Sequence, residues 1–234
     1  MTTAPPLASR IDHLVVAAVS LAEGVEWCEK KLGVTPGSGG EHPLMGTHNR
    51  LFLIASSTFP RAYLEIIAIH SGASYARSAW ASRWFDLDDP GLQAHLVKSG
   101  PRLVHFVAST ARADAGVRAL AHLGLDRGEV LQASRPTPQG LLTWKITVRR
   151  DGQRLFYGAL PTLIEWGAVH PAQGMTASGV VLQALSARHP RADTLRAGID
   201  AIGLVNVEVT SGSPNLTATL QTPRGLITLE SGGV

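Results

Sequence analysis

The sequence predicts an α+β chain assembled from repeated βαβββ-type units, two complete and a third degenerate. Three observations predict it. The stretch Arg10-Ile-Asp-His-Leu-Val-Val-Ala17 is apolar on both alternating faces, as an interior strand is, yet it carries His13. The pattern returns 92 positions later in Leu103-Val-His-Phe-Val-Ala-Ser-Thr110, around His105. Each of these strands is followed by helical spacing and then by apolar strand-like runs, the last of which holds one carboxylate: Glu65 in the first unit and Glu165 in the second. The His-to-Glu spacings of 52 and 60 residues differ by an amount that loops absorb.

The elements follow in order. Ser20 stands where an N-cap belongs, Leu21, Val25, Cys28 and Leu32 keep helical spacing, and Gly33 supplies the stop. Cys28 reads as a small core residue of that helix. Pro36-Gly-Ser-Gly-Gly-Glu-His-Pro43 is a loop whose glycines match neither a P-loop nor a dinucleotide fingerprint. Residues 46–54 and 61–69 read as strands, with room for a short third one between 34 and 45.

Residues 71–102 interrupt the repeat as a helical insert. A helix is expected over 74–87, with Trp80 and Trp84 one turn apart as a packing stripe in preference to a flap, and a shorter one over Leu92 to Val97. The second unit, 103–170, offers a helix from Arg112 to His122, strands around 128–132 and 140–148, a tight turn at Asp151-Gly152, and a closing strand Leu163-Ile-Glu-Trp166. Residues 176–234 carry the third unit, with strands starting near Val180, a helix from Ala192 to Ile202 and later strands near 206–210, 216–221 and 226–231. Its counterpart of the histidine falls near Leu182, so this unit is expected to be ligand-free.

Composition excludes several classes. Hydrophobic residues at 44%, charged residues at 17% and a net charge of +3 describe a globular chain whose basic residues are scattered, with no electrostatic footprint for nucleic acid. No apolar run reaches the ~20 residues of a membrane span, and the first residues lack a charged start followed by an apolar stretch. One cysteine excludes an internal disulfide. The expectation is a cytoplasmic protein whose partner is a small molecule rather than a nucleic acid or a membrane; a homodimer is compatible with this.

A carboxylate or imidazole inside an oily strand is costly unless it is paired or bound to a cation. If the two units pack side by side, His13, Glu65, His105 and Glu165 can converge on a concave side. Two imidazoles and two carboxylates would neutralise a divalent cation and leave two positions of a six-coordinate ion open for a substrate oxygen pair. Glu65 or Glu165 could then leave the ion and serve as the base.

Ile11-Asp-His-Leu-Val-Val16, Gly46-Thr-His-Asn-Arg-Leu51 and Tyr63-Leu-Glu-Ile-Ile-Ala68 together resemble the vicinal oxygen chelate superfamily, particularly its glyoxalase-like branch, which takes in glyoxalase I, extradiol dioxygenases and bleomycin resistance proteins. The resemblance implies tandem βαβββ modules whose curved, paired sheets form a cup. It also implies ligands from the first and last strands of each module, which are His13, Glu65, His105 and Glu165 here, around a divalent ion such as Fe, Mn, Zn, Ni or Mg. His48 and Asn49, on a strand that lines the concave face in that architecture, and Trp144 with Lys145 on the related strand of the second unit, are expected to contact substrate. Arg50 or Lys145 could hold a substrate carboxylate.

The leading functional expectation is a metal-dependent lyase, isomerase or dioxygenase acting on a small oxygenated organic molecule. The alternative is a metal-free binding protein that sequesters an apolar or aromatic ligand with Trp144, Phe156 and Trp166; a purely structural assembly module explains the buried polar residues less well. Asp12 and Glu23 are expected to be solvated or capping groups, His42 and His70 to lie on the surface, and Trp166 to pack against a sheet.

Overall fold

A computed structural model describes residues 5–72, 82–137 and 140–234. The first unit runs β1 (Ser9–Ala17), α1 (Leu21–Lys31), β2 (Glu41–His42), β3 (Thr47–Leu53) and β4 (Tyr63–Ile69). The second, after α2 (Pro90–Ser99), runs β5 (Arg102–Thr110), α3 (Ala113–Ala121), β6 (Glu129–Thr137), β7 (Gly140–Val148) and β8 (Thr162–Trp166). They share one eight-stranded sheet of order β2-β3-β4-β1-β5-β8-β7-β6. Its centre is the antiparallel pair β1–β5, and each opening strand lies parallel to the closing strand of its own unit. The sheet therefore has a twofold-like plan, curled so that its edge strands approach one another as in a half-barrel. This is the α+β cup of tandem βαβββ modules that the sequence predicts.

Local chemistry explains the elements. The Ser20 side chain accepts from the Glu23 amide and so caps α1, and Gly33 takes the left-handed conformation (φ 74°) that ends it. Cys28 is buried on this helix, where burial and the neighbouring Glu29 push its thiol up to about 12. Its contribution is packing.

The third set of elements is β9 (Val181–Arg188), α4 (Ala192–Ala201), β10 (Glu208–Thr210), β11 (Asn215–Thr222) and β12 (Gly225–Glu230). It has the same run of element types, but its sheet order is β10-β9-β11-β12, so the last strand does not return beside the first. Its inner face, with Leu182, Leu185, Leu216 and Leu220, joins one apolar core with Leu14, Val16, Leu64, Ile66, Phe106 and Leu163 from the convex face of the large sheet. Fully burying a residue of this size contributes roughly 1.5–3 kcal/mol, which explains why so many oily residues of the large sheet point away from its cup.

The concave face has its own apolar cluster, and the insert supplies much of it: Trp84, Phe85, Leu87, Leu92 and Leu96 pack against Val15, Val104, Val107 and Ile164. Residues 73–81, including Trp80, lie outside the described residues, so the expected helix over 74–87 is described only at its end. There Trp84–Asp86 is a single 3-10 turn, with Phe85 and Asp86 at φ 60° and 57°. The Arg154 guanidinium holds this turn, donating through Nε to Asp86 Oδ2 (2.8 Å) and through Nη1 to the Val104 carbonyl (2.8 Å). No helix among the described residues is long and apolar enough to cross a membrane.

Candidate functional site

The site is built on β1. Neighbouring residues of a strand point to opposite faces, yet Asp12 and His13 meet, because the pairing of β1 with β5 shifts register between Ile11 and His13 and leaves Asp12 in a bulge. His13 Nδ1 donates to Asp12 Oδ1 at 2.8 Å. The other carboxylate oxygen accepts from Trp166 Nε1 (2.9 Å) and from His170 Nε2 (3.1 Å). His170 Nδ1 accepts from the Ala172 amide, which leaves Nε2 as its donor. Burial on its own would raise the Asp12 pKa, but hydrogen bonds from His13 and His170, and their charge, outweigh it and hold the carboxyl well below its ordinary value of 3.8. Asp12 is thus a buried acceptor, not the solvated or capping group expected; the bulge is the reason.

With Nδ1 committed, His13 presents Nε2 to Glu65, whose Oε2 lies 3.6 Å away. That is too long for a hydrogen bond. The Glu65 Oε1 is fixed by Asn49 Nδ2 at 2.6 Å, and Tyr63 stacks on the His13 ring at 4.5 Å between centroids. Burial, then the Asp12 and Glu65 carboxylates, push the Tyr63 phenol well above its usual pKa of 10.0, so it stays neutral. His42 closes this wall: Nε2 faces Asn49 Nδ2 at 3.3 Å and Nδ1 donates to Thr47 Oγ1 at 3.0 Å. Burial and then the Arg135 guanidinium push His42 down to about 3, so it is a neutral, half-buried wall residue where a surface one was expected.

His13, Glu65, Asn49 and Tyr63 line a recess of about 40 Å³ together with Trp84, Phe85, Arg135 and Trp144. A larger cleft of about 680 Å³, lined by the 38–45 loop, Leu51, Trp84, residues of β6 and β7, and 169–171 with 173–175, shares His42, Leu51, Trp84, Arg135, Trp144 and Pro171 with that recess. The recess is the inner end of the cleft.

The second half differs. His105 is fully buried, with Nδ1 donating to the Gly158 carbonyl (2.9 Å) and Nε2 facing the Thr162 amide (3.1 Å) and hydroxyl (3.0 Å). Phe85 covers the ring at 5.2 Å. Both nitrogens are in use. Burial and the nearby Arg127 and Arg154 charges lower its pKa well below 6.5, which keeps it neutral.

Glu165 does not point into the cup. On β8 the side chains of Ile164 and Trp166 face inward, and strand alternation sends Glu165 to the other face. There it accepts from Lys145 Nζ (3.1 Å) and from the Ala113 amide (2.9 Å) at the start of α3. Register explains the misassignment: Val15, two residues after His13, pairs with Glu65, whereas Val107, two after His105, pairs with Thr162. Thr162, not Glu165, is the positional counterpart of Glu65.

Of the four residues expected to share a cation, the structure brings together His13 and Glu65 and separates His105 and Glu165. Among the described residues no group of three or more His, Cys, Asp or Glu side chains is placed to hold a metal ion. The donor set does not fit a four-ligand divalent site, because one imidazole has no free nitrogen and one carboxylate lies behind the sheet.

Of the expected substrate contacts, Asn49 and Trp144 line the recess, while His48, Arg50 and Lys145 alternate away from it. His48 stacks on His70 at 4.6 Å, Arg50 is exposed, and Lys145 serves Glu165. Phe156 packs against His189 in the convex core and not in the cup. Trp166 does line the recess and also donates to Asp12. Asp12, His42, Tyr63, Arg135 and His170 were not foreseen as site residues. Asp12 alone carried a signal, a charge inside the same oily strand as His13.

Among curated protein sequences no match emerges. A hypothetical protein from Staphylococcus aureus shares the fold at a TM-score of 0.58 and 12% identity, over 89% of this chain and 88% of that one. Methylmalonyl-CoA epimerases from Streptomyces coelicolor (20% identity, TM-score 0.42, 70% of this chain and 98% of that one) and Mycobacterium tuberculosis (18%, 0.39, 70% and 91%) match more loosely. A glyoxalase-like domain model matches residues 11–203, most of the sequence. With that match and the curled sheet of paired βαβββ modules, the chain belongs to the glyoxalase-like domain family of the vicinal oxygen chelate superfamily.

Proposed function

We propose that the protein is an enzyme of the isomerase or lyase kind that moves a proton on a carbon next to a carbonyl in a small oxygenated organic molecule. The observation that carries this reading is the His13–Glu65 pair: a base oriented from behind by a buried carboxylate, facing a second carboxylate across a gap too long to be a settled hydrogen bond, at the inner end of a cleft. Acid–base pairs often stand this far apart before substrate draws them together. Asp12 fixes the His13 tautomer, so Nε2 is the nitrogen that exchanges a proton; Asn49 holds Glu65 by its other oxygen, so Oε2 is the second station.

Both stations sit on one floor of the recess, which suits passage of a proton between neighbouring atoms on one side of the substrate. Delivery to the opposite face would need a second group across the cleft. Tyr63 and Trp84 line the recess beside the pair, whose side chains are almost wholly buried, and a low-dielectric wall strengthens the pair's effect on developing charge. Isomerase and lyase chemistry of this kind uses only the groups that converge here. Ring opening by a dioxygenase calls for an iron-type site of two histidines and a carboxylate, and no group of three such donors converges among the described residues.

The test is deuterium uptake from D2O, followed by proton NMR, on 2-hydroxyaldehydes, 2-oxo acids and 3-oxo acids. The wild-type protein is expected to accelerate exchange at the carbon beside the carbonyl for at least one class, and His13→Gln to lower that rate about 100-fold or more. Equal rates for the two proteins contradict the proposal. Binding without exchange by the wild type favours the second reading, a sequestering protein, which the size of the Trp144-lined cleft relative to the recess supports.

A further inference from the structure

The cleft is lined by a cation that no carboxylate pairs with among the described residues. Arg135 projects inward from β6, where Ala133, Leu131 and Thr137 share its face, and it lines both the cleft and the recess. Its Nη1 is buried and has no hydrogen-bond partner among the described residues, and no ion pair of Arg135 is found among them either. A guanidinium carries five donors in a fixed fork, and leaving such donors dry and unpaired is costly. Arg127 also has unpartnered nitrogens, but it lines neither cavity.

The position of Arg135 is set by the far edge of the sheet. A Cβ on Gly40 would lie 1.5 Å from Nη1, so the glycine in this loop makes room for the guanidinium to reach across from one edge strand to the other. An inward charge on an edge strand also discourages sheet-to-sheet pairing, but that role does not call for a cleft or for space cleared at Gly40. Besides Arg135, the charged side chain lining the cleft is Glu41, and Leu44, Met45, Leu131, Trp144 and Met175 supply much of the remaining wall.

We infer that Arg135 is the anchor for the carboxylate of an organic acid with an apolar body, held bidentately so that the carbon beyond the carboxylate faces His13 and Glu65. This rests on the reading of the cleft as a substrate site and names the substrate class. One guanidinium matches one planar monoanion. A phosphate dianion would want more positive partners than this wall has, since His42 stays neutral and Glu65 contributes a carboxylate at the recess.

Octanoate, 1-octanol and octylamine share a tail and differ at the head, and Trp84 and Trp144 report their binding by fluorescence. The wild type is expected to prefer octanoate over octanol about tenfold or more. In Arg135→Gln the two should bind alike, with octanol affinity unchanged; Arg135→Lys, which keeps the charge but not the fork, should retain a reduced preference. Thermal unfolding of Arg135→Gln should occur at or above the wild-type temperature, because the change removes a half-buried charge with a dry, unpartnered nitrogen. In His13→Gln the octanoate preference should persist, which separates this inference from the proton-transfer reading. Equal binding of octanoate and octanol by the wild type, preference for octylamine, no binding of any probe, or undiminished octanoate preference in Arg135→Gln would each overturn it.

Discussion

The two halves of the large sheet begin from the same plan and end in opposite states. In the first, a histidine on the opening strand faces a carboxylate on the closing strand at 3.6 Å, beside a cavity. In the second, the matching histidine has both nitrogens bonded, faces a threonine, and lies under Phe85. A duplicated scaffold has therefore kept one open polar pair and converted the other into a structural tie. The second half supplies its own ties, Gly158 and Thr162, and the insert adds the cover: Phe85 lies over the His105 ring, and Arg154 with Asp86 pins the left-handed turn that carries it.

That contrast can be broken most forcefully at His105. His105→Ala strands the Gly158 carbonyl and the Thr162 amide in the interior and is expected to cost about 3 kcal/mol or more in urea unfolding. His13→Ala leaves Asp12 with two partners, Trp166 and His170, and should cost only about 1 kcal/mol. A reversed order would mean that the first half, not the second, is the structural one.

Asp12→Asn comes next. A carboxyl whose folded pKa is depressed adds stability that is present above its unfolded value, here near 3.8, and drains away as pH falls from there toward the folded value. The variant should be less stable at neutral pH by about 1–2 kcal/mol and should lose less on further acidification to pH ~2. His42 and His105 act in a higher window. Both are held neutral in the fold while an unfolded histidine takes up a proton near 6.5, so stability should fall as pH drops below 6.5 toward about 3 for His42. His42→Gln should flatten that slope in part, as measured by urea unfolding at pH 7, 5.5 and 4.

The smallest effect belongs to Lys145. Lys145→Met removes a partly exposed pair with Glu165 and should change stability by less than about 1 kcal/mol, with octanoate binding unaltered. A large loss of binding would place Lys145 in the site after all.

The alternation of strands explains what the sequence could and could not show. His13, Glu65 and His105 stood out because each interrupts a run buried on both faces, and all three are buried. Glu165 stood out for the same reason and misled, because the pairing of β5 with β8 makes Thr162 the counterpart of Glu65 and turns Glu165 to the convex side. No property of the sequence announces a three-residue register offset, and an odd offset puts the side chain on the opposite face. The bulge at Asp12 is equally silent, and so is the approach of two sheet edges that sets Arg135 against Gly40. The order of helices and strands in the first two units was readable from caps, glycine stops and periodicity. The third unit kept that element run while rearranging its strands, which local pattern does not encode.

The central claim is that the proton-transferring pair belongs to the first half alone, and the two glutamates test it most directly. In the deuterium-exchange assay, Glu65→Gln is expected to lower the rate about 100-fold or more, and Glu165→Gln to change it less than about twofold. A loss with Glu165→Gln equal to or larger than that with Glu65→Gln would contradict the account.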